Sequence, residues 1–97
     1  EPGDARAIHD LIGFQRDLLA VIAGLDQPSG QRIKTELEAT SNQAITHGRL
    51  YPNLDTLVDR GLVRKGELDR RTNYYAVTDA GVESLRRYHE WAGSQLP

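Results

Sequence analysis

The chain contains no cysteine and no methionine, and it has only one tryptophan and one phenylalanine. The missing cysteines exclude disulfide bonds, thiolate metal ligands and cysteine nucleophiles. No apolar run approaches the roughly 20 residues that span a bilayer, and no charged start leads into an apolar stretch as in a signal peptide. We therefore expect a cytoplasmic protein without a membrane partner, folded around an apolar core.

A strong excess of positive charge, which is typical of nucleic-acid binders, is also missing, because the net charge is −2. The charge is unevenly distributed, however. Residues 43–77 carry six basic and four acidic side chains, a net charge of +2, whereas residues 1–42 carry −3 and residues 78–97 carry −1. The length of 97 residues, with 38% hydrophobic and 27% charged, indicates one small globular domain whose middle segment is basic.

The spacing of apolar residues predicts a mainly α fold, of the α+β type, with the order helix, helix, helix, strand, strand, helix. Residues 1–12 contain proline, glycine and charge and are expected to form a flexible N-terminal arm. Ser29, Thr46 and Thr78 precede apolar periodic stretches and are the predicted N-caps of the second, third and fourth helices. Gly61 is expected to end the third helix in the left-handed conformation.

Three helices followed by a β-hairpin predict a winged helix-turn-helix over residues 13–78, with the third helix in the major groove of DNA and the hairpin, or wing, beside it. Arg49, Asn53 and Thr56 are spaced i, i+4 and i+7 and are predicted to form one exposed ridge. Arginine and asparagine can pair bidentately with guanine and adenine edges. Gly48 has no side chain and would let the backbone approach DNA closely. A merely solvated helix face is the alternative explanation of this ridge.

The predicted hairpin tip favours the DNA-binding interpretation. Arg70 and Arg71 place two guanidinium groups there, next to the small hydrogen-bonding side chains of Thr72 and Asn73. Arginine forks suit phosphate, and threonine and asparagine often contact it as well. A plain turn would more often use Asn-Gly or Asp-Gly.

Two stretches resemble the PadR-like family of regulators. The first runs from Gly48 through Leu50-Tyr51-Pro52 to Gly61-Leu62-Val63 and is similar to the family pattern Gly-x-Leu-Tyr-Pro-x-Leu-x-x-Leu followed by Gly-Leu-Val. The second, residues 70–81, is similar to Arg-Arg-x-x-Tyr-Tyr-x-Leu-Thr-x-x-Gly, with Val77 in place of the usual leucine. The resemblance covers roughly residues 14–90, and the segment 47–53 is especially similar to haloarchaeal members.

The resemblance implies a homodimeric transcriptional regulator, often a repressor, that binds double-stranded DNA at a near-palindromic operator, with a role in stress response. It also implies that the third helix continues through Pro52 with a local irregularity, although proline normally disrupts a helix. For Tyr51 we favour a mixed role, with the ring packed between the third helix and the hairpin and the hydroxyl near DNA. The predicted DNA-binding residues are Thr46, His47, Gly48, Arg49, Tyr51, Asn53, Thr56, Arg70, Arg71, Thr72 and Asn73.

The last helix, residues 79–97, is a predicted dimerisation helix, as the family resemblance also implies. Its apolar residues recur at spacings of three and four in the manner of a coiled-coil seam, although packing on its own domain is the alternative. Tyr88 and Trp91 could line a pocket for an unidentified small-molecule or ion effector, but interface packing is the favoured interpretation. The predicted interface residues are Val82, Leu85, Tyr88, His89, Ala92 and Leu96.

The sequence contains no pattern that indicates catalysis. His9, His47 and His89 are scattered over the arm, a helix start and a helix seam, and no glycine-rich phosphate loop or nucleophile motif occurs. We therefore expect no enzyme, no metal and no cofactor. A winged helix that binds a protein partner is the remaining alternative, which an apolar face on the third helix would have favoured.

Overall fold

The elements of the fold follow the predicted order. The structure, a computed structural model, describes the backbone of residues 5–97 and the side chains of residues 8–97. Helices α1 (Gly13–Gly24), α2 (Gly30–Ser41) and α3 (His47–Asp59) precede strands β1 (Val63–Glu67) and β2 (Asn73–Val77), and helix α4 (Asp79–Ser94) follows. The prediction of a mainly α winged helix-turn-helix is confirmed.

Side-chain caps start α2, α3 and α4 at the predicted residues. The hydroxyl groups of Ser29, Thr46 and Thr78 each accept a hydrogen bond from the backbone N–H three residues further on, over 3.0–3.2 Å. These bonds satisfy N–H groups that lack a partner within the helix. At the other end of α3, Gly61 has a φ of 74°, which is the predicted left-handed conformation.

The N-terminal part of the fold differs from the flexible arm predicted for residues 1–12. Residues 1–4 lie outside the described residues. A 3-10 helix forms at Ala5–Asp10, and the side chains of Ile8 and Leu11 are buried in the core. These two apolar residues lie one 3-10 turn apart and therefore bury the same side of the segment, an effect that the neighbouring proline, glycine and charges obscured. The folded unit thus begins before Gly13.

The core lies between the three helices of the motif, the wing and the 3-10 helix. Tyr75 is the only polar-tipped side chain of the cluster, and it is almost fully buried at 1% exposure. No helix within residues 5–97 is both long and apolar enough to cross a membrane. The core residues are Ile8, Leu11, Phe14, Leu18, Leu19, Ile22, Ile33, Leu37, Ile45, Leu50, Leu54, Leu57, Leu62, Val63 and Tyr75.

Strands β1 and β2 form an antiparallel hairpin in which Val63 lies opposite Val77 and Glu67 opposite Asn73. The segment before α2 extends this sheet on its other side, since the backbone N–H of Tyr75 donates to the carbonyl of Pro28 at 2.8 Å. The wing is therefore attached directly to the start of α2. Any surface that involves both the wing tip and the first turn of α2 is held in a fixed geometry by this contact.

Helix α4 is fastened to the base of the wing. The Thr78 hydroxyl donates to the carbonyl of Gly61 at 2.7 Å while it caps α4. Gly81, in the first turn of α4, lies so close to the Leu62 carbonyl oxygen that a Cβ atom would overlap with it. The absence of a side chain at position 81 therefore permits this close approach of helix and wing.

Candidate nucleic-acid interface

Helix α3 has the buried and exposed faces that its sequence predicts. Its leucines are fully buried, and Thr46, His47 and Gly48 are exposed at its N-terminal end. The first backbone N–H groups of a helix lack intrahelical partners and form the positive end of its dipole. The accessible end of α3 is therefore the end that favours negative charge. The buried leucines are Leu50, Leu54 and Leu57.

Pro52 does not interrupt α3, so the irregularity that the family resemblance implied does not break the helix. Proline has no N–H to donate to the carbonyl four residues earlier, which is that of Gly48. Gly48 and Pro52 are both exposed, so solvent can satisfy this carbonyl. Thr56 is half-buried, and its hydroxyl donates to the Pro52 carbonyl at 3.1 Å.

The predicted ridge of Arg49, Asn53 and Thr56 lies on the flank of α3 that faces α1. The guanidinium carbon of Arg49 is 3.9 Å from the centre of the Phe14 ring, in cation–π geometry. Asn53 is half-buried, and its Oδ1 accepts a hydrogen bond from Gln15 Nε2 at 2.9 Å. Arg49 itself is exposed. The ridge is therefore not merely solvated, because α1 supports its two longest side chains.

Tyr51 lies on the opposite flank of α3, against the first turn of α2. A Cβ atom on Gly30 would come within 2.7 Å of the Tyr51 hydroxyl, so the ring packs where α2 has no side chain. This placement differs from the expected position between α3 and the hairpin. Tyr51 lines a cleft of about 520 Å³ together with Ser29, Gly30, Gln31, Arg71, Thr72, Asn73 and Tyr75. Tyr51 and three of the four predicted wing-tip residues therefore meet at one cleft.

The wing tip is ordered by Asp69. Its Oδ1 accepts hydrogen bonds from the backbone N–H groups of Arg71 at 2.9 Å and Thr72 at 3.0 Å. The bond from Arg71 is the main reason that the pKa of Asp69 lies below its ordinary value. Arg70 and Arg71 are exposed. The carboxylate thus shapes the turn through the backbone and leaves the side chains of Arg70 and Arg71 exposed.

The six basic side chains of residues 43–77 form no ion pair with any residue that the structure describes. Elsewhere, Arg32 pairs with Glu36 and Lys34 with Glu38, and Arg86 and Arg87 both pair with Glu83, at 2.9–3.5 Å. The unpaired six are Arg49, Arg60, Arg64, Lys65, Arg70 and Arg71. Arg16 of α1 also forms no ion pair with a described residue, but the other unpaired basic side chains of residues 8–97 lie on α3, at its C-cap Arg60 and on the wing.

The predicted dimer residues lie along one side of α4, except Leu96, which follows the end of the helix. Val82, Leu85 and Ala92 are half-buried, whereas His89 and Leu96 are exposed. Together with the exposed side of α1, this stripe borders a groove of about 390 Å³, which we call the α1–α4 groove. Its lining residues are Gly13, Arg16, Asp17, Ala20, Leu85, Tyr88, His89 and Ala92. Four of the six predicted interface residues, all except Val82 and Leu96, thus line an open groove and do not pack entirely on their own domain.

The two aromatic residues of α4 have different surroundings. Tyr88 lines the α1–α4 groove beneath Arg16, whose guanidinium carbon is 5.0 Å from the ring centre. Trp91, which is 50% exposed, packs edge-to-face on His9 of the 3-10 helix, with ring centres 5.1 Å apart. Trp91 therefore helps to hold the N-terminal segment on α4. In the part of the chain that the structure describes, no group of three or more His, Asp or Glu side chains could hold a metal.

Comparison with known proteins decides the family. The model of the transcriptional regulator PadR-like family matches residues 18–87. The chain belongs to the PadR-like family of transcriptional regulators. No curated protein sequence is similar enough to count as a match.

Solved structures agree with this family assignment. RosR of H. salinarum, from crystals grown from NaBr, is 48% identical and has a TM-score of 0.85, with 95% of this chain and 80% of that chain covered. A complex structure of hsRosR is 47% identical, with a TM-score of 0.85 and coverage of 90% of this chain and 77% of that chain. F93 from STIV, a winged-helix DNA-binding protein, has 22% identity, a TM-score of 0.68 and coverage of 89% and 87%, which shows the fold alone.

Sequence reasoning missed several residues of the candidate interface of this PadR-like regulator. Arg64 and Lys65 on β1 are exposed and basic, and their position directly after the third helix was the available signal. Phe14 and Gln15 of α1 support Arg49 and Asn53, but no local pattern links residues so far apart in the sequence. Gly30 was also missed, because its role is only to leave space for the Tyr51 ring.

Proposed function

We propose that this PadR-like regulator binds double-stranded DNA sequence-specifically as a homodimer and acts as a repressor at a near-palindromic operator. The observation that carries the proposal is the concentration of unpaired basic side chains on α3 and the wing, whereas those of α2 and α4 are paired. Basic groups without acidic partners keep their charge available to neutralise phosphates and release counterions. The net charge of −2 does not oppose this binding, because the local charge decides it.

The N-terminal half of α3 is the part that reads bases in this proposal. Thr46, His47 and Gly48 form an exposed end where the backbone can approach the major groove. Arg49 is exposed beside them and pairs with a guanine edge, and Asn53 pairs with an adenine edge. Thr56 lies further along the helix, and its hydroxyl already donates to a carbonyl, so its role in base reading is secondary.

The cleft between Tyr51 and the wing tip is the proposed seat of the DNA backbone. A tyrosine hydroxyl, an arginine fork and the side chains of Thr72 and Asn73 line it, all of which commonly contact phosphate. Arg70 is exposed at the tip and extends the contact along the flanking backbone. These contacts fix the position of α3 on the duplex and carry no sequence information themselves.

The α1–α4 groove is the proposed dimer interface, and its occupant is α4 of a second copy. The half-buried seam residues give it an apolar floor, while Glu83 and the two arginines that pair with it lie outside the groove lining. A twofold interface presents two copies of α3 in opposite directions, which a near-palindromic operator matches. A regulator that binds DNA acts where the DNA is, so we place the dimer in the cytoplasm.

The test replaces Arg71 by alanine and uses Arg86→Ala as its matched control. Both arginines are exposed, but Arg86 is paired with Glu83 on α4. Binding is titrated against an operator selected from a random duplex library and against a scrambled duplex, at several salt concentrations. Arg71→Ala should weaken both complexes by similar factors and lower the log–log salt slope by about one. Equal behaviour of the two variants, or no DNA binding by the unaltered protein, would contradict the proposal.

A further inference from the structure

Gln15, in the first turn of α1, makes two side-chain hydrogen bonds of opposite polarity. Its Oε1 accepts from the backbone N–H of Ile12 at 3.2 Å, and its Nε2 donates to Asn53 Oδ1 at 2.9 Å. Asn53 has the same order of acceptor and donor, because its Oδ1 accepts from Gln15 and its Nδ2 donates to the carbonyl of Arg49 at 2.7 Å. Two side-chain amides therefore form a chain between a backbone donor on α1 and a backbone acceptor on α3.

This chain fixes which way the Asn53 amide faces. The Ile12 N–H can only donate and the Arg49 carbonyl can only accept, so the two ends have a fixed polarity. A rotation of either amide by half a turn would place two donors or two acceptors against each other. Bonds that run in one sense along such a chain also polarise one another. Without Gln15, only the bond to the Arg49 carbonyl would restrain Asn53.

The orientation of this amide matters for recognition of a base. Bidentate pairing with adenine requires one N–H of Asn53 toward one ring edge atom and its oxygen toward the exocyclic amino group. The intramolecular bonds use one N–H and one lone pair of Oδ1, and they leave one N–H and one lone pair free. The groups that adenine needs are thus still available, in an orientation that α1 has set.

We infer that Gln15 is a positioning residue that determines the base preference of Asn53, an inference that rests on the proposed DNA-binding function. Gln15 acts through Asn53 and itself touches no base. Its effect is expected at one position of each operator half-site. Because the control comes from α1, base selectivity depends on a residue outside α2 and α3.

The decisive variant is Gln15→Glu. A glutamate at this position can still accept the Ile12 N–H, and it is a favoured residue near a helix start, so α1 keeps its stability. An ionised glutamate cannot donate to Asn53 Oδ1. Gln15→Met removes both hydrogen bonds without adding charge, and Gln95→Glu adds the same charge on the far end of α4. Asn53→Ala and the double variant Gln15→Met/Asn53→Ala complete the set.

Each variant is selected against a randomised duplex library, and its binding to scrambled DNA and its melting temperature are measured. Gln15→Glu and Gln15→Met should lower discrimination by roughly 5- to 150-fold at the position where Asn53→Ala also lowers it, with other positions unchanged. The double variant should discriminate no worse than Asn53→Ala. Gln95→Glu should keep the original profile, and Gln15→Glu should keep the original melting temperature.

Two different results overturn different statements. If the unaltered protein prefers no sequence over scrambled DNA, the proposed function fails. If it has a preference that Asn53→Ala relaxes but both Gln15 variants retain, the inference about Gln15 fails and the proposed function stands. Additive losses in the double variant, or a uniform loss of affinity of Gln15→Met on every sequence, would likewise contradict the positioning role.

Discussion

The basic side chains of α2 and α4 differ from those of α3 and the wing in what surrounds them. On α2 and α4 each described arginine or lysine lies one helical turn from a glutamate and pairs with it, at 2.9–3.5 Å. On α3 and the wing the basic groups are exposed and have no acidic partner in the described residues, and two of them, Arg49 and Arg64, lie over the rings of Phe14 and Tyr74. The difference shows that net charge is a poor guide to nucleic-acid binding when one region neutralises its own charge and another does not.

The largest expected effect concerns the apolar side of α4. Leu85→Asp places a carboxylate in the α1–α4 groove, where burial without a partner costs several kcal/mol. We expect light scattering to show monomers and operator binding to be lost with the dimer. Glu90→Ala, an exposed change outside the groove lining, is the control and should leave the dimer intact. A folded Leu85→Asp dimer would show that the seam lies elsewhere.

The next largest effect concerns Arg49, which contacts the Phe14 ring of α1 and is proposed to pair with a base. Arg49→Ala should cost about 1–3 kcal/mol on the operator, with relaxed preference at one base. It should also lower the stability of the fold by roughly 0.5–1 kcal/mol, because the guanidinium no longer covers Phe14. Arg60→Ala is the comparison, since Arg60 is exposed and lacks such a ring contact in the described chain. Equal losses of Arg49→Ala on operator and scrambled DNA would remove its reading role.

The smallest effect concerns Glu38, which forms an ion pair on α2 and a hydrogen bond to the turn between α2 and α3. Glu38 accepts the backbone N–H of Ile45 at 2.8 Å, and this bond, with the ion pair to Lys34, holds the pKa of Glu38 below its ordinary 4.5. A lowered pKa stabilises the fold above pH 4.5, and the contribution is lost as the pH falls through the folded-state value. The melting temperature of Glu38→Gln should therefore be lower than that of the unaltered protein at neutral pH, and the gap should close in acid.

Glu36→Gln is the control for this measurement. Glu36 lies on the same helix, but its pair with Arg32 is exposed and joins no backbone group of the turn. Exposed pairs of this kind contribute little to stability. If the melting temperature of Glu38→Gln stayed below that of the unaltered protein by the same amount at low pH, the role of the Glu38 charge would be contradicted.

Local patterns in the sequence were sufficient to predict the order of the four α-helices and two strands. The three helix caps and the left-handed Gly61 depend on neighbours within a few residues, so they could be predicted as well. The 3-10 helix was missed because its stability comes from burial of Ile8 and Leu11 against distant elements. The α1 contacts of Arg49 and Asn53 and the packing of Tyr51 on Gly30 were missed for the same reason. Candidate site residues could therefore be identified from the sequence more readily than the residues that contact them.

The close contact between Gly81 and the Leu62 carbonyl has a consequence for the length of the operator. Helix α4 cannot tilt away from the wing without breaking this contact. The apolar side of α4 and the N-terminal end of α3 therefore move as one rigid body. In a dimer joined through α4, the contact at Gly81 then sets the distance and angle between the two copies of α3. Each base pair inserted between half-sites turns one of them by roughly 35° about the DNA axis. A rigid dimer of this kind tolerates changes of base more readily than changes of spacing.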